Sequence, residues 1–295
     1  MSWHPGKLRF LALLLMAAAP ASFGCGDDDD DDSSDSGDGD RYQGCDTRIP
    51  AGSNTEQIQE LFINATDGQT LCFEDGTYAV TKQLSLGQND VTLQGNPKDR
   101  SAVVLDYATQ TEGKDALIAT GDGFTIQHLS IKNSSGNTIA TTGVDRVTFR
   151  NLKVSWDAGS VTTNGAYAVY PLSSTNVLVE DCEVVGAADA GIYVGQSSNI
   201  IVRNNSVHGN VAGIEIENSD NALVTGNDAY ENTAGILVFV LPNLRKTSGS
   251  ATIVENNKIR DNNLANFGEP GTTVSFVPPG TGMLVLANDD TEIRG

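Results

Sequence analysis

The stretch Val202-Arg203-Asn204-Asn205-Ser206-Val207 recurs 22 residues later as Val224-Thr225-Gly226-Asn227-Asp228-Ala229, and again, after an insertion, as Val254-Glu255-Asn256-Asn257-Lys258-Ile259. Val179, Phe149, Ile126 and Leu93 hold the same phase further back, and Ile293 continues it. A second motif interleaves with the first: Gly191-Ile192-Tyr193-Val194, Gly213-Ile214-Glu215-Ile216, Gly235-Ile236-Leu237-Val238 and Gly282-Met283-Leu284-Val285. Each repeat therefore holds short strands separated by polar turns. One such unit has too little apolar surface to bury alone, so the repeats must stack.

Strand alternation turns Ile200, Val202 and Val207 inward and Ile201, Arg203 and Ser206 outward. The pattern predicts an all-β chain: a single-stranded right-handed parallel β-helix, a solenoid of about eight coils. Asn205, Asn227 and Asn257 fall at one inward-turning position and are expected to form a structural ladder of side-chain amide hydrogen bonds. Asn210, Asn232 and Asn262 are placed to form a second. In lower coils Cys182, Leu152 and Leu129 stand at the first ladder position, so the ladder is incomplete there, and Cys182 reads as a buried small hydrophobe.

The N-terminus has the pattern of an export signal over residues 1–24, with Lys7 and Arg9 ahead of an apolar run from Phe10 to Ala18. Ser22-Phe23-Gly24-Cys25 is similar to a bacterial lipobox, with Ser22 where that pattern usually has Leu. Lipidation of Cys25 is the expectation, and cleavage after Ala19-Pro20-Ala21 is the alternative. Residues 26–40 carry nine aspartates and no apolar side chain, too little to offset chain entropy. Within 25–45 they form a solvated, disordered tether, a calcium-binding tail being the sharper alternative. The address implied is the bacterial outer membrane or cell surface, because Gly26 stands where an inner-membrane retention signal would be; periplasm or medium is the alternative.

The formal charge is −20; without Lys7 and Arg9 it becomes −22, and without the nine tether aspartates −13 remains on residues 41–295. Such a body repels nucleic acid and anionic lipid, which leaves the lipid anchor as the sole membrane contact.

The β-helix domain is expected over 46–295, with its last coil cut short, since residues 288–295 open a new coil and stop. Ser53-Asn54-Thr55-Glu56 has capping-box spacing, and Ile58, Leu61, Phe62 and Ala65 follow on one helical face, predicting a short helix that plugs the open N-terminal end. Cys45 and Cys72 are expected to fasten this cap as a disulfide in an oxidising compartment.

Residues 174–295, above all "AGIYVGQSSNIIVRNNSVHGNVAGIEIENSDNALVTGN", "AGILVFVLPNL" and "VPPGTGMLVLANDD", resemble an exported bacterial parallel β-helix repeat family, and the likeness extends more weakly to residue 54. More distantly the coils resemble periplasmic copper-maturation β-helix proteins and the superfamily of mannuronan epimerases, pectate lyases and polygalacturonases. The distant resemblance implies polysaccharide as ligand and, for an enzyme, a lyase or epimerase. The close one implies an exported dihaem cytochrome-like partner for a non-catalytic scaffold.

The catalytic stretches of those relatives, Asn-Thr-Asp, Asp-Asp with Gly-His-Gly, and Asp-Pro-His-Asp, do not occur as sets here. Glu215 with Glu217, and Glu183 with Asp228, are the carboxylate pairs on offer, and both read as solvated faces. Only His128 and His208 remain after the signal, and no Cys-x-x-Cys occurs, so no metal site of zinc or copper type is expected. Calcium on an aspartate- and asparagine-rich turn is the one cofactor left open. The outward row His208, Tyr230 and Arg260, repeating every ~4.8 Å up the stack, supplies the residue types that proton abstraction beside a uronate carboxylate needs, and is the candidate catalytic set. Phe239, Val240, Leu241 and Leu244, around the insertion at 238–249, either pack back on a sheet or wall a groove.

Overall fold

The computed structural model describes residues 42–295; the expected signal peptide, Cys25 and the tether up to residue 41 lie outside the described residues. The chain winds through three parallel sheets of ten, eight and eight strands; Thr47–Ile49 pairs with the next strand, Thr70–Phe73, and from there on each strand pairs with the one three strands further along the chain. One coil is typical: Ser198–Arg203 lies in the first sheet, Ser206–His208 in the second and Ala212–Glu217 in the third. Eight coils visit all three sheets. Val179, Val202, Val224, Val254 and Ile293 stand in register, as the repeat phase requires. Val202, Val207, Ile214 and Ile216 are fully buried in one continuous core.

The asparagine-rich turns have two physical causes. Asn204, Gly226 and Asn256 adopt φ of 56°, 68° and 54°, a left-handed conformation that Asn and Gly tolerate best. The next residue turns inward. Asn205 Nδ2 donates to Asn227 Oδ1 at 2.9 Å and Asn227 Nδ2 to Asn257 Oδ1 at 2.9 Å. Each Oδ1 also accepts the backbone N–H of the coil before it, from Cys182 to Asn205 and from Asn205 to Asn227. Asn210, Asn232 and Asn262 repeat this at the next corner, both amide links being 3.0 Å. A serine ladder, unanticipated from the sequence, lines the third corner: the Ser174 and Ser197 N–H groups donate to the hydroxyls of Ser197 and Ser219 at 3.0 Å.

Glycine beside the second asparagine corner is a packing requirement. A Cβ at Gly213 would lie 2.6 Å from the Gly235 carbonyl oxygen and 3.1 Å from Asn232 Nδ2.

The cap helix spans Thr55–Asn64 and buries Ile58 and Phe62 against the first coil, where Phe62 meets Phe73 edge-on. Its N-cap is Asn54 and not Ser53: Asn54 accepts from the Gln57 N–H, and Gln57 accepts from the Asn54 N–H, both at 2.9 Å. Asn54 with Gln57 and Ser53 with Glu56 have equal spacing and nearly equal cap preference, so the frame was open by one residue. Cys45 and Cys72 are joined by a disulfide. Cys182 is free and buried, and burial pushes its thiol up to about 12.

Candidate active site: a covered cleft on the third sheet

The outward positions of the third sheet fall into rows. Tyr193 stands beside Glu215, Leu237 and Leu284; Gly195 stands beside Glu217, Phe239 and Leu286. Strand alternation alone would leave these rows in solvent. Their members from Tyr193 to Leu237 and from Gly195 to Phe239 are covered by the segment between Lys258–Arg260 and Thr281–Leu286, which returns across the sheet through the short 3-10 turn Val274–Phe276, while Leu284 and Leu286 stay exposed. Val274 is buried there with Ala190, Tyr193, Ala212, Ala234, Leu237 and Phe239, forming a second apolar cluster outside the solenoid core. Asn266 Nδ2 fixes the segment by donating to the carbonyls of Val274 and Val277 at 3.0 and 2.8 Å.

A cavity of about 290 Å³ lies along this face. Its polar lining is Tyr167, Asp189, Tyr193, Glu215, Glu217, Thr272 and Thr273; aliphatic and aromatic side chains supply the rest, and no lining residue is basic. Tyr167, Tyr170 and Tyr193 stack with ring centroids 4.7–4.9 Å apart. Tyr167 donates to Asp189 Oδ2 at 3.0 Å, and Tyr193 donates to Glu217 Oε2. Gly195 makes the second contact feasible: a Cβ there would lie 2.1 Å from the Tyr193 hydroxyl oxygen. Glu215 lines the same cavity as these pairs, in register beside Tyr193 and 3% exposed, and among the described residues no hydrogen bond or ion pair reaches its carboxyl.

Desolvation dominates the electrostatics. Burial pushes Asp189 up to about 6, against the hydrogen bond from Tyr167 and with the charge of Glu217. Burial, then the charges of Asp189 and Glu217, hold Glu215 well above the carboxylate range. Burial also raises Glu217, opposed by the Tyr193 hydrogen bond. Such a group can hold a proton near neutral pH.

The row His208, Tyr230 and Arg260 is in register on the second sheet. Its members are turned toward one another. His208 stacks on Tyr230 at 4.7 Å, and the Arg260 guanidinium lies 4.1 Å over the same ring while bonding Asp228 at 3.0 Å. Burial lowers His208, with the charge of Glu183 opposing. The guanidinium that a uronate would need is already paired, and none of the three lines the covered cavity.

The two carboxylate pairs depart from the solvated reading. Glu215 and Glu217 are buried because the returning segment covers them. Glu183 is bound by Arg100 and Lys153 at 2.8 and 2.9 Å. Among the described residues no group of three or more His, Cys, Asp or Glu is placed to hold a metal ion. Of the insertion side chains, Phe239 and Leu241 wall the cavity. Tyr167, Tyr170 and Asp189 went unnoticed in the sequence; the signal was the Tyr193, Glu215 and Leu237 column of the aligned repeats, followed by the apolar positions Phe267, Val274 and Val277.

A solenoid of three parallel sheets with a ligand-sized cleft on one flank defines a parallel β-helix protein. The family described as a right handed beta helix region matches residues 115–294, more than half of the chain, and the chain belongs to it. No curated protein sequence matches. Among solved structures, endopolygalacturonase I from Stereum purpureum, captured with two galacturonates, is 19% identical with a TM-score of 0.53, covering 74% of this chain and 71% of that one. The periplasmic alginate epimerase AlgG is 15% identical with a TM-score of 0.49, covering 83% of this chain and 55% of that one. The endo-xylogalacturonan hydrolase from Aspergillus tubingensis is 16% identical with a TM-score of 0.49, covering 84% and 91%. At these identities the likeness is one of fold.

Proposed function

We propose that this is a lipid-anchored protein of the bacterial cell envelope that binds and modifies a polysaccharide on its flank, at the covered cleft of the third sheet. The observation that carries the reading is the cavity itself: two tyrosines, backed by Tyr170 in their stack, and three carboxyl groups under an apolar cover on an otherwise regular fold. Tyrosine rings offer a sugar both an apolar face and a hydroxyl. The carboxyl groups supply the chemistry. Burial pushes Asp189 up to about 6, which suits proton exchange with a sugar hydroxyl or a glycosidic oxygen at neutral pH. From the Stereum purpureum enzyme we carry over carbohydrate as the ligand class, and not its sugar.

The test is titration of the purified protein with soluble polysaccharides of neutral, cationic and anionic type, followed by product analysis. The reading expects saturable binding that Tyr193→Ala abolishes and Arg260→Ala leaves intact. Binding lost in Arg260→Ala and kept in Tyr193→Ala would return the site to the His208 row. No binding to any glycan would leave a non-catalytic scaffold, with an exported dihaem cytochrome-like protein as the partner to try.

A further inference from the structure

Glu215 is the anomaly of the cleft. It faces a cavity of about 290 Å³ while 3% exposed, and among the described residues nothing donates to it or pairs with it. Its flanking acids differ, since Asp189 and Glu217 each receive a tyrosine hydroxyl. A buried carboxyl without a partner is costly whether it ionises or stays neutral. A third acid in a site with two others raises that cost, and no basic side chain lines the cavity to offset it. The missing positive charge is therefore one a ligand can bring.

We propose that the cleft recognises a sugar bearing a free amino group, whose ammonium pairs with Glu215 between Asp189 and Glu217 and lies against the tyrosine stack. The proposal rests on the carbohydrate reading above and specifies its substrate class. Aromatic faces attract a desolvated ammonium, and the adjoining carboxyls attract it more strongly. A uronate meets the opposite environment: its carboxylate would enter beside three acids with no Lys, Arg or His in the lining. Burial and the charges of Asp189 and Glu217 favour the protonated form of Glu215, and an ammonium favours the ionised one, so docking is expected to be accompanied by proton release. Tyr167 and Tyr193 are the remaining titratable groups lining the cavity, burial holds both above their ordinary value, and the covering segment adds only Thr272, Thr273, Val274 and Val277.

Calorimetry at pH 6 with glucosamine tetramer, N-acetylglucosamine tetramer and galacturonate tetramer tests this directly. The amino tetramer is expected to bind at least tenfold tighter than the acetylated one, with proton release seen as a buffer-dependent heat, and the galacturonate not at all. Glu215→Gln, close in shape, should erase the preference, and Thr273→Trp should block the cavity from the covering side if Glu215→Gln fails to fold. A preference unchanged in Glu215→Gln and Thr273→Trp would trace to the acidic surface and overturn the proposal. Equal or tighter binding of the acetylated or galacturonate tetramer would overturn it while leaving the carbohydrate reading in place. Binding of none of the three, with other glycans bound, overturns the proposal alone; binding of no glycan overturns both.

Discussion

The Tyr167 hydroxyl donates to Asp189 Oδ2 at 3.0 Å, and that single bond separates Asp189 from Glu215, which receives none. Both carboxyl groups are raised by burial, but only Asp189 has a donor to support its ionised form. The tyrosine hydroxyls favour the ionised forms of Asp189 and Glu217, and Glu215 has no such support. Three acids in one cleft thus divide into two that accept a tyrosine hydroxyl and one that has no donor.

This division fixes a pH dependence of stability. An acid whose folded value lies above its unfolded one binds protons more tightly in the folded state, so it favours folding when protonated and that advantage is lost as pH rises through the window. For Asp189 the window runs from 3.8 to about 6, and its contribution is about 2–3 kcal/mol. Glu180 acts the other way: burial would raise it, but the Arg150 and Arg203 hydrogen bonds outweigh this and lower it. Its support is lost on acidification below its ordinary value. His128 and His208, both lowered by burial, add stability as pH rises through the same range, so the Asp189 contribution is read as a difference: in denaturant melts across pH 4–7, the stability of wild type relative to Asp189→Asn should decline with pH. A difference that stays constant or rises with pH would contradict the assignment.

Gly195→Ala probes the cleft without touching its acids. The added methyl would meet the Tyr193 hydroxyl oxygen at 2.1 Å and two of its ring carbons at 2.4 and 2.5 Å, so the buried, stacked ring has to shift. The solenoid core is not involved, and the fold should survive with a stability loss of about 1–3 kcal/mol. Tyr193 should lose Glu217, with a glycan affinity loss of tenfold or more. Unchanged affinity would remove the Tyr193–Glu217 pair from the recognition machinery.

Asn227→Leu should weaken the stack by about 1–3 kcal/mol, because the buried Asn205 N–H loses its acceptor and Asn205 Nδ2 loses one of its two, keeping only the Val179 carbonyl. The readout is the urea midpoint at constant m-value. A midpoint equal to wild type would show that the ladder contributes nothing net.

The proposed membrane anchor is a lipid on Cys25. Expressed in a bacterium, the wild type should fractionate with membranes and Cys25→Ser with soluble protein. An unmodified N-terminus at Ser22 by mass spectrometry would end the lipoprotein proposal.

The coil was legible because its repeat is local: Val202 to Val224 to Val254 sets the register, and the asparagines mark the corners. The cap helix was legible in its apolar face, Ile58 and Phe62, while its first residue was ambiguous because Ser53 and Asn54 both make good caps. The cleft was hidden for a different reason. Alternation states that Glu215 and Glu217 point out of the solenoid; it does not state what lies outside. The cover comes from residues 263–280, which follow no repeat phase, so burial of the outward row depends on a contact between a regular strand and an irregular insertion. The His208 row drew notice because His, Tyr and Arg are reactive types in register. That register brings them together as a stack in which each serves its neighbour.

Hydrogen–deuterium exchange with and without a bound glycan from the binding panel tests the central claim most directly. The account predicts slowed exchange in the covering segment, residues 268–277, and at the ends of Ala190–Gly195 and Ala212–Glu217. Slowing confined to Ser206–His208, Asp228–Tyr230 and Lys258–Arg260, with the covering segment unchanged, would contradict it.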